Sequence, residues 1–426
     1  MTEPVESAWQ DKLDTTYERT DLLFSLLPRE ALLERPIGLR HPFLFYLGHL
    51  PAFAWNQIGR GVLGAGHLDE AFDVLFERGI DPQDEQSARR TIISTWPPVS
   101  AVLAYRDEAR RAVRTRIAEI LAREDDPLCE NTRILHLVVE HELMHQETLL
   151  YMVAECRPGL IQRPATLAPP EGGEGRAAER VRITAGPAAV GAAWDAIPFG
   201  WDNEFGRVEY EVPAFSLDSL PVRNRDWLTF VRTSGAPASL KPRAWIEDGS
   251  RLSVKTVFGP VPFELAEGWP VQVTGEQARA YCVFRGGRLP TEAELCRAAY
   301  TTPDGARRPH PWGDAPPAPH HGNFHFARFY PLPTGAHPTG ASAWGVEELV
   351  GNGWEWTRTP FAPLPGFVAY ARTYPGYSAD FFDGEHDVVF GASWATDAKL
   401  LRPSFRNWYR RNYPHAFTSF RVAWDD

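Results

Sequence analysis

From about Asp11 to Cys156, apolar side chains recur every three or four positions, which is the period of an amphipathic α-helix. Residues 101–122 are the clearest case, because their polar side is rich in arginine. A second apolar stripe is predicted near the start of the chain, and it contains Leu22, Leu23, Leu26 and Leu27. Several such segments joined by modest loops predict an antiparallel four-helix bundle.

The pattern changes after a segment rich in proline and glycine, residues 161–180, whose composition is typical of a linker. Beyond it, short apolar runs alternate with turn residues, which predicts an irregular α+β domain over residues 181–426. The predicted strands are Val181–Ile183, Val208–Val212, Val271–Val273, Val388–Phe390 and Phe420–Ala423. Helices are predicted at Asn224–Thr233 and Thr274–Phe284, and a third begins at Thr291, which Glu294 can cap. The expected fold class is therefore α+β with two domains, a helical bundle over residues 1–160 and the mixed domain.

Composition narrows the class of protein further. Lysine and arginine total 44 against 55 acidic residues, and the resulting charge of −11 argues against binding to duplex nucleic acid. No apolar run is long enough to span a membrane, and the polar N-terminus does not read as a signal peptide. The four cysteines form no C-x-x-C pair, so a cytoplasmic, reducing location is expected. Twelve of the 15 tryptophans follow residue 193, which indicates that the two halves differ in architecture.

Two histidines on one predicted helix carry the strongest chemical signal. His141 and His145 lie four positions apart, so both project from the same helix face. The rest of that face is apolar and predicted to be buried: Ile134, Val138, Leu149 and Met152. Two neighbouring buried imidazoles need partners, and a metal ion satisfies both. His49, in an earlier apolar segment between Phe45 and Phe53, is the candidate third ligand. Three imidazoles suit zinc, iron(II) or copper, and the ligand type alone does not choose.

Two other interpretations of this segment stay open at the level of sequence. His141-Glu142-x-x-His145 is the zinc-protease signature, in which the glutamate is the general base. However, no third protease ligand follows at the required spacing, and Glu147 lies roughly 200° around the helix from His145. The second interpretation is structural, with both histidines buried and bonded to backbone or carboxylate groups.

Six short motifs in the second half occur in the order found in the formylglycine-generating-enzyme fold, a variant of the C-type-lectin fold. They are Phe199–Glu204, Gly286–Glu294, Pro311–Asp314, Gly351–Thr357, Gly391–Trp394 and Phe405–Trp408. The first half, with one histidine followed by H-x-x-x-H, resembles the DinB-like metal-binding bundles. Joined in this order, the two halves resemble the ergothioneine-type sulfoxide synthases over nearly the whole chain.

The resemblance implies a set of cofactors and substrates. It implies Fe(2+) bound by His49, His141 and His145, and O2-dependent attachment of a chalcogen to imidazole C2 of hercynine, the trimethylated betaine of histidine. Asn407 and Trp408 match the family's substrate-contacting pair. The family's proton donor is a tyrosine in the loop before the last strands, and the candidates here are Tyr370 and Tyr374. A quaternary ammonium group suits an aromatic pocket through cation–π attraction.

Three departures from the mycobacterial enzymes concern the sulfur or selenium donor. Met144, a candidate substrate-binding residue, stands where those enzymes have glutamine, directly before the second histidine of the motif. Tyr409 and Tyr413 stand where they have the aspartate and arginine that bind γ-glutamylcysteine. A phenol can stack on a sugar ring, but it cannot pair with an α-amino-carboxylate. The chain therefore resembles the selenoneine synthase branch, which implies iron- and O2-dependent C–Se bond formation with a selenosugar donor.

Other functions remain as alternatives. One is the sulfur reaction of the same family, which joins hercynine to γ-glutamylcysteine or cysteine. Another is a non-catalytic lectin-like binding module, although such a module does not explain three histidines on buried helix faces. A formylglycine-type oxidase needs a late pair of cysteines, and no cysteine follows Cys296. Arg89 and Arg90 are candidates for the donor site or for a solvated charge cluster. The sequence indicates no macromolecular partner, and it does not predict the oligomeric state.

Overall fold

The computed structural model describes residues 3–77, 95–123, 125–235, 237–370, 374 and 376–426. The chain divides into two compact units. The first comprises Met1–Pro164 together with Tyr370–Tyr377, and the second comprises Ala165–Ala369 with Ser378–Asp426. The segment Tyr370–Tyr377, named here the tyrosine segment, thus comes from the second half of the sequence but belongs to the first unit.

The first unit is helical, as the sequence predicts. Its helices are α1 (Glu3–Ser25), α2 (Phe43–Trp55), α3 (Glu70–Leu75), α4 (Val99–Thr115), α5 (Ile117–Leu121) and α6 (Arg133–Ala154). Helix α2 packs against α4 and α6, and α1 packs against α6. A π-helical turn, Asn56–Val62, follows α2 directly, and short 3-10 turns cover Arg29–Leu33 and Glu130–Thr132. Within the described residues, no helix is both long and apolar enough to cross a membrane.

Two details of the helical prediction are wrong. The helix predicted over residues 101–122 breaks at Arg116, whose φ of −101° and ψ of 0° end α4 before α5 begins. Apolar residues are fully buried on both sides of the break, so the periodicity continues across it and hides it in the sequence. The leucine stripe of α1 is narrower than predicted, because Leu22 is 44% exposed whereas Leu23 is buried.

The second unit is built from twelve strands and four helices within the described residues. The strands are β1 (Arg180–Ile183), β2 (Gly186–Val190), β3 (Val208–Val212), β4 (Phe215–Asp218), β5 (Trp245–Asp248), β6 (Arg251–Thr256), β7 (Gly259–Pro262), β8 (Gly353–Pro360), β9 (His386–Ala392), β10 (Asn407–Arg410), β11 (Thr418–Ser419) and β12 (Ala423–Asp425). The helices are α7 (Asn224–Thr233), α8 (Phe263–Ala266), α9 (Gly275–Phe284) and α10 (Glu292–Tyr300).

These strands form four small sheets, with the orders β1-β4-β12, β10-β9-β8-β11, β2-β3 and β5-β6-β7. All pairs are antiparallel except β11 with β8. The sheet that carries β10 holds two of the predicted substrate-binding residues: Asn407 and Trp408 pair with Val389 and Val388 of β9. The fully buried tryptophans of this unit account for the aromatic bias of the second half: Trp201, Trp227, Trp269, Trp354 and Trp356.

A buried ion pair crosses this core. Arg421 and Glu355 are both fully buried, and Arg421 Nε donates to Glu355 Oε2 at 2.6 Å. The remaining donors of Arg421 reach the carbonyl oxygens of Asp218 at 3.0 Å and Glu347 at 2.9 Å. Because each buried charge has close partners, the pair avoids the large penalty of an uncompensated charge in the interior.

In the second half, the starts and ends of the helices agree with the sequence prediction more closely than the strands do. Helix α7 has the predicted bounds, and at the start of α10 Thr291 Oγ1 accepts from the Glu294 amide at 3.1 Å, as in a capping box. Two predicted strands are wrong. Residues 271–273 are irregular, and the Val273 amide donates an isolated hydrogen bond to the carbonyl oxygen of Thr418. Of the run Phe420–Ala423, residues 420–422 are a buried crossing between β11 and β12, which belong to different sheets, and only Ala423 lies in a strand.

Candidate metal centre and its aromatic surroundings

Helices α2 and α6 place the three candidate ligands. Every residue of α2 is buried, because this mostly apolar helix packs against both α4 and α6. His49 lies in the middle of α2 and is fully enclosed. On α6 the predicted apolar stripe is buried as well, and His141 lies within it at 1% exposure. His145, one helical turn further on, is half-buried.

The structure brings His49, His141 and His145 together. One ring nitrogen from each lies within 4.8 Å of those of the other two. The ring centroids are 5.1 Å apart for His49 and His141, 5.2 Å for His49 and His145, and 4.3 Å for His141 and His145. No other group of three or more potential ligand side chains converges in this way within the described ranges. These three residues are called the triad below.

Hydrogen bonds fix the orientation of two triad histidines. His49 Nδ1 lies 2.7 Å from the carbonyl oxygen of Phe76, and His145 Nδ1 lies 3.0 Å from that of His141. A carbonyl oxygen only accepts, so each Nδ1 carries the proton and each Nε2 has a lone pair. His49 Nε2 and both ring nitrogens of His141 are buried without a hydrogen-bond partner among the described residues. Three convergent imidazoles with unused buried nitrogens fit a divalent metal ion.

Burial keeps the triad imidazoles neutral. Desolvation lowers the pKa of His49 to about 4 and that of His145 to about 3. The pKa of His141 is lowered well below its usual value, mainly by burial and further by the two neighbouring histidines. A neutral imidazole is the form that binds a metal, so the site is set up for metal binding at neutral pH.

Aromatic rings surround the triad. Phe53 of α2 stacks face to face on His141, with ring centroids 3.5 Å apart and planes 10° apart. Tyr374 of the tyrosine segment meets both rings, with centroids 5.2 Å from Phe53 and 5.7 Å from His141. Phe45 stacks on His49 at 5.1 Å. Tyr46 of α2 lies beside His145, with centroids 5.8 Å apart. The centre therefore combines three imidazoles and two tyrosines with apolar phenylalanine rings.

The tyrosine segment distinguishes the two tyrosines predicted as proton donors. The ring of Tyr374 lies beside the triad, as just described. Tyr370 contributes its carbonyl oxygen, which accepts a hydrogen bond from the Tyr374 amide at 2.8 Å. A third tyrosine, Tyr377, donates its hydroxyl proton to the sulfur of Met144 at 3.4 Å. Met144, predicted as a substrate-contacting position, thus lies against the segment that carries the candidate proton donor.

The face of α6 that points toward α1 carries a separate polar cluster. The Thr20 hydroxyl donates to Glu142 Oε1 at 2.6 Å, and Gln146 Nε2 donates to the Thr20 oxygen at 3.0 Å. Arg110 lies 3.5 Å from the same carboxylate oxygen of Glu142. Glu142, the glutamate of the H-E-x-x-H sequence, therefore bonds to these partners on a helix face other than that of the triad. The zinc-protease interpretation, which needs this glutamate as a general base beside the metal, is therefore disfavoured.

The predicted hercynine contacts lie on β10 of the second unit. Both Asn407 and Trp408 are half-buried. The Trp408 indole stacks on Phe361, with centroids 4.1 Å apart and planes 7° apart, and meets Phe381 at 5.6 Å. Asn407 Oδ1 accepts a hydrogen bond from the Trp408 amide at 2.9 Å. These contacts fix the indole plane, and the side-chain NH2 group of Asn407 is a hydrogen-bond donor.

The predicted donor-binding tyrosines form a pair of their own. The rings of Tyr409 and Tyr413 are parallel within 3°, with centroids 5.4 Å apart. Two arginines of the same segment are engaged by carboxylates. Arg410 donates to Glu385 at 2.7 Å, and Arg411 Nε lies 3.1 Å from both carboxylate oxygens of Asp387.

Sequence reasoning missed Phe53 and Tyr377 as parts of this centre. Phe53 had a signal, since it follows His49 by four positions and so shares its helix face. Tyr377 had only its place in a tyrosine-rich loop. Arg89 and Arg90, the remaining candidates for the donor site, lie outside the described residues.

Known families match both halves of the chain. The model for the DinB superfamily matches residues 12–149, and the model for the sulfatase-modifying factor enzyme 1-like domain matches residues 165–426. Together these matches cover the helical unit and the strand-rich unit.

Three relatives align with most of this chain. Hercynine oxygenase of Mycolicibacterium thermoresistibile is 34% identical over 412 residues, which cover 91% of this chain and 88% of that protein. Hercynine oxygenase of Mycolicibacterium smegmatis is 36% identical over 373 residues, or 82% of this chain and 83% of the relative. Ergothioneine biosynthesis protein 1 of Neurospora crassa is 29% identical over 505 residues, covering 94% of this chain and 56% of the longer relative.

Proposed function

We propose that this chain, which belongs to the ergothioneine-type sulfoxide synthase family, uses iron(II) and O2 to form a bond between a chalcogen and imidazole C2 of hercynine. We assign selenium as the chalcogen and a selenosugar as its donor. The observation that carries the proposal is the triad, whose unused buried nitrogens converge beside the ring of Tyr374.

The triad supplies the binding site for the metal. His49, His141 and His145 would hold one iron(II), which supplies the redox chemistry with O2 that no side chain offers. Neutral imidazoles need no prior deprotonation at neutral pH, so the protein binds the metal without titrating its ligands. The apolar rings of Phe45 and Phe53 limit the access of water to two of the ligands.

Tyr374 is the residue that holds a proton at the centre. Its phenol ring lies beside the stacked rings of Phe53 and His141, and a positioned phenol can act as a general acid through its hydroxyl group. Tyr374 is a stronger candidate than Tyr370, because the ring of Tyr374 lies 5.7 Å from that of His141. The role assigned to Tyr374 is to donate its hydroxyl proton as the new bond forms.

Asn407 and Trp408 are proposed to bind hercynine. The stacked Trp408 indole offers an aromatic surface, which attracts the trimethylammonium group of a betaine. The Asn407 side chain supplies a neutral amide donor for an imidazole nitrogen or a carboxylate. Together these residues would recognise the positive end and a polar group of the same small molecule.

Tyr409 and Tyr413 support the choice of a sugar as donor. Aromatic rings with hydroxyl groups suit the faces and hydroxyls of a neutral sugar. An amino acid or peptide donor brings an ammonium and a carboxylate, and each costs on the order of 1–3 kcal/mol or more when buried without a charged partner. Arg410 and Arg411, which lie between these two tyrosines in the sequence, already pair with Glu385 and Asp387. A sugar donor avoids this cost.

The sulfur reaction is the second candidate, and the names of the relatives favour it, since they are hercynine oxygenases and ergothioneine biosynthesis proteins. In this version the thiol of γ-glutamylcysteine or cysteine replaces the selenosugar, while the triad and the hercynine site keep their roles. The two candidates therefore differ only in the donor.

A competition assay separates these possibilities. Purified protein is supplied with iron(II), O2 and hercynine, and is offered selenoglucose, γ-glutamylcysteine and cysteine at equal concentrations. Mass spectrometry is expected to find mainly the selenium-containing product. A thiol product formed with equal or higher efficiency would overturn the donor assignment alone. No hercynine product with any donor would overturn the whole proposal.

A further inference from the structure

The three triad histidines are held in two different ways. His49 and His145 each donate a hydrogen bond from Nδ1 to a backbone carbonyl oxygen. Neither ring nitrogen of His141 has such a partner in the described part of the chain. The ring of His141 instead lies face to face with Phe53, with 3.5 Å between the centroids. Aromatic packing is therefore the contact that restricts rotation of the His141 imidazole.

The position of Phe53 allows its ring to restrict the rotation of the His141 imidazole. Phe53 lies four residues after His49 on α2, so both side chains point from the same helix face toward α6. Its side chain is 2% exposed on a helix that is buried along its whole length, which leaves the ring little room to turn away. Tyr374 lies beside this stacked pair, and its ring meets Phe53 at 61° and His141 at 70°. Phe53 thus contacts one proposed ligand and the proposed proton donor.

We propose that Phe53 is a positioning residue: its ring orients the His141 imidazole toward the metal, in place of the hydrogen bond that orients His49 and His145, and it seats Tyr374 beside the same imidazole. This inference rests on the proposed metal-binding function. Groups that orient a ligand histidine are usually hydrogen-bond acceptors, and their loss weakens metal binding 10–100-fold. A stacked ring restricts the same rotation by van der Waals contact across its face.

Phe45 provides a matched control. It lies on the same helix, is buried to the same degree, and stacks on His49 with planes 16° apart. His49, however, is also fixed by the carbonyl oxygen of Phe76. Loss of the Phe45 ring therefore removes a comparable buried aromatic contact but leaves its histidine oriented.

The experiment compares Phe53→Leu with Phe45→Leu in the full-length chain, with Co(II) as the metal probe. The dissociation constant for Co(II) is measured by competition with a chelating dye, and the visible absorption of bound Co(II) reports the geometry of the ligands. Melting of the metal-free proteins shows the loss of packing, which is expected to be similar for both variants. Phe53→Leu is expected to weaken Co(II) binding by about 10-fold or more and to change the cobalt spectrum. Phe45→Leu is expected to stay within about threefold of the parent.

Each other outcome counts against the inference. Co(II) binding by Phe53→Leu that equals the parent's, or an equal loss in both variants, would show that the stack has only a structural role. A parent chain that binds no Co(II) would overturn the proposed function as well, which distinguishes the two failures. If Phe53→Leu melts below the assay temperature, Phe53→Met, which is closer in volume to phenylalanine, gives the same comparison.

Discussion

The hydroxyl of Tyr377 donates a hydrogen bond to the thioether sulfur of Met144, with 3.4 Å between oxygen and sulfur. Met144 directly precedes His145 of the triad on α6, whereas Tyr377 lies 233 residues later, in the tyrosine segment. A thioether is a weak acceptor, so this hydrogen bond is expected to fix the position of the tyrosine segment more than to add to the stability of the fold. It ties the candidate proton donor's segment to the helix that carries two proposed ligands.

A double-mutant cycle tests this tie. Met144→Leu and Tyr377→Phe each remove one partner without opening a large cavity. Their coupling free energy is expected to be about 0.5 kcal/mol, at the low end for a hydrogen bond because sulfur accepts weakly. Urea unfolding of the metal-free protein measures it. The control pairs Met144→Leu with Tyr105→Phe, whose hydroxyl bonds Asp73, and these two changes should be additive. Additivity in the test pair would argue that the hydroxyl and the sulfur do not interact.

The proposed metal ligands give a direct prediction. His49→Ala, His141→Ala and His145→Ala are each expected to lose stoichiometric iron(II) binding, because two imidazoles cannot replace a three-ligand set. His136→Ala is the matched control on α6, since its ring packs edge-on against Trp9, with centroids 4.8 Å apart. Metal analysis after anaerobic reconstitution measures the iron content. Full iron content in any of the three triad variants would remove that residue from the ligand set.

Tyr374→Phe isolates the proposed proton donor. The variant keeps the ring that packs on Phe53 and His141 but lacks the hydroxyl proton. Loss of a general acid typically lowers the rate 10²–10⁴-fold, so kcat for C–Se bond formation is expected to fall by at least about 100-fold. Co(II) affinity should be unchanged. Tyr370→Phe is the control and should keep kcat near the parent value, and the reverse ranking of the two variants would exchange their roles.

Helix periodicity explains why much of the candidate centre can be predicted from the sequence. The period fixes the direction of each side chain, so it places His141 and His145 on one face and marks that face as buried. It also makes His49 a reasonable third candidate on another apolar helix. Ring stacking depends on rotamers and on contacts between distant segments, which no period encodes. The stack of Phe53 on His141 and the approach of Tyr374 therefore appear only in the folded chain.

The fold shows the same division between local and tertiary causes. The cap at Thr291 and the bounds of α7 follow from hydrogen bonds and periodicity within one segment. The break at Arg116 and the crossing at residues 420–422 are invisible locally, because burial continues through both. An apolar run indicates that a segment is buried, but it does not say whether its backbone pairs with one sheet, with two, or with none. The membership of the tyrosine segment in the helical unit is likewise a tertiary fact.

A buried carboxyl in the second unit predicts a pH effect on stability. Burial raises the pKa of Glu348 from its ordinary 4.5 to about 7, although hydrogen bonds from Asn352 and the Gly335 amide oppose this rise. Since the folded state binds the proton more tightly than the unfolded state, stability falls as the pH rises from about 4.5 to about 7. At about 1.4 kcal/mol per pKa unit, the loss is about 3 kcal/mol.

Glu348→Gln cannot titrate, so it should remove this part of the pH dependence. The free energy of unfolding of parent and variant is measured by urea titration at about pH 5 and pH 8. Between pH 5 and pH 8, the free energy of unfolding is expected to fall by about 2.5 kcal/mol more in the parent than in the variant. Because the comparison uses slopes, a constant change in stability from the lost hydrogen bond does not affect it. An identical pH dependence in both proteins would contradict a raised pKa for Glu348.

The last prediction concerns the donor. If the stacked phenols of Tyr409 and Tyr413 select a neutral sugar, then Tyr409→Asp combined with Tyr413→Arg should favour γ-glutamylcysteine. The two new charges can pair with the ammonium and carboxylate groups of that donor. At about 1.4 kcal/mol for each restored contact, the ratio of kcat/KM for the thiol to that for the selenosugar should rise about 100-fold. Steady-state kinetics with each donor at saturating hercynine measures this ratio.

The control for this variant is Tyr409→Phe with Tyr413→Phe, which keeps both rings and adds no charge. It is expected to lose selenosugar efficiency, because the hydroxyls no longer bond the sugar, without gaining efficiency with the thiol. To reach the donor, Arg410 and Arg411 would have to leave Glu385 and Asp387, and Asp387 would keep its ion pair with Arg279. If the charged variant and the phenylalanine variant show the same donor ratio, charge at these positions does not choose the donor. Selenium specificity would then have to arise elsewhere in the chain.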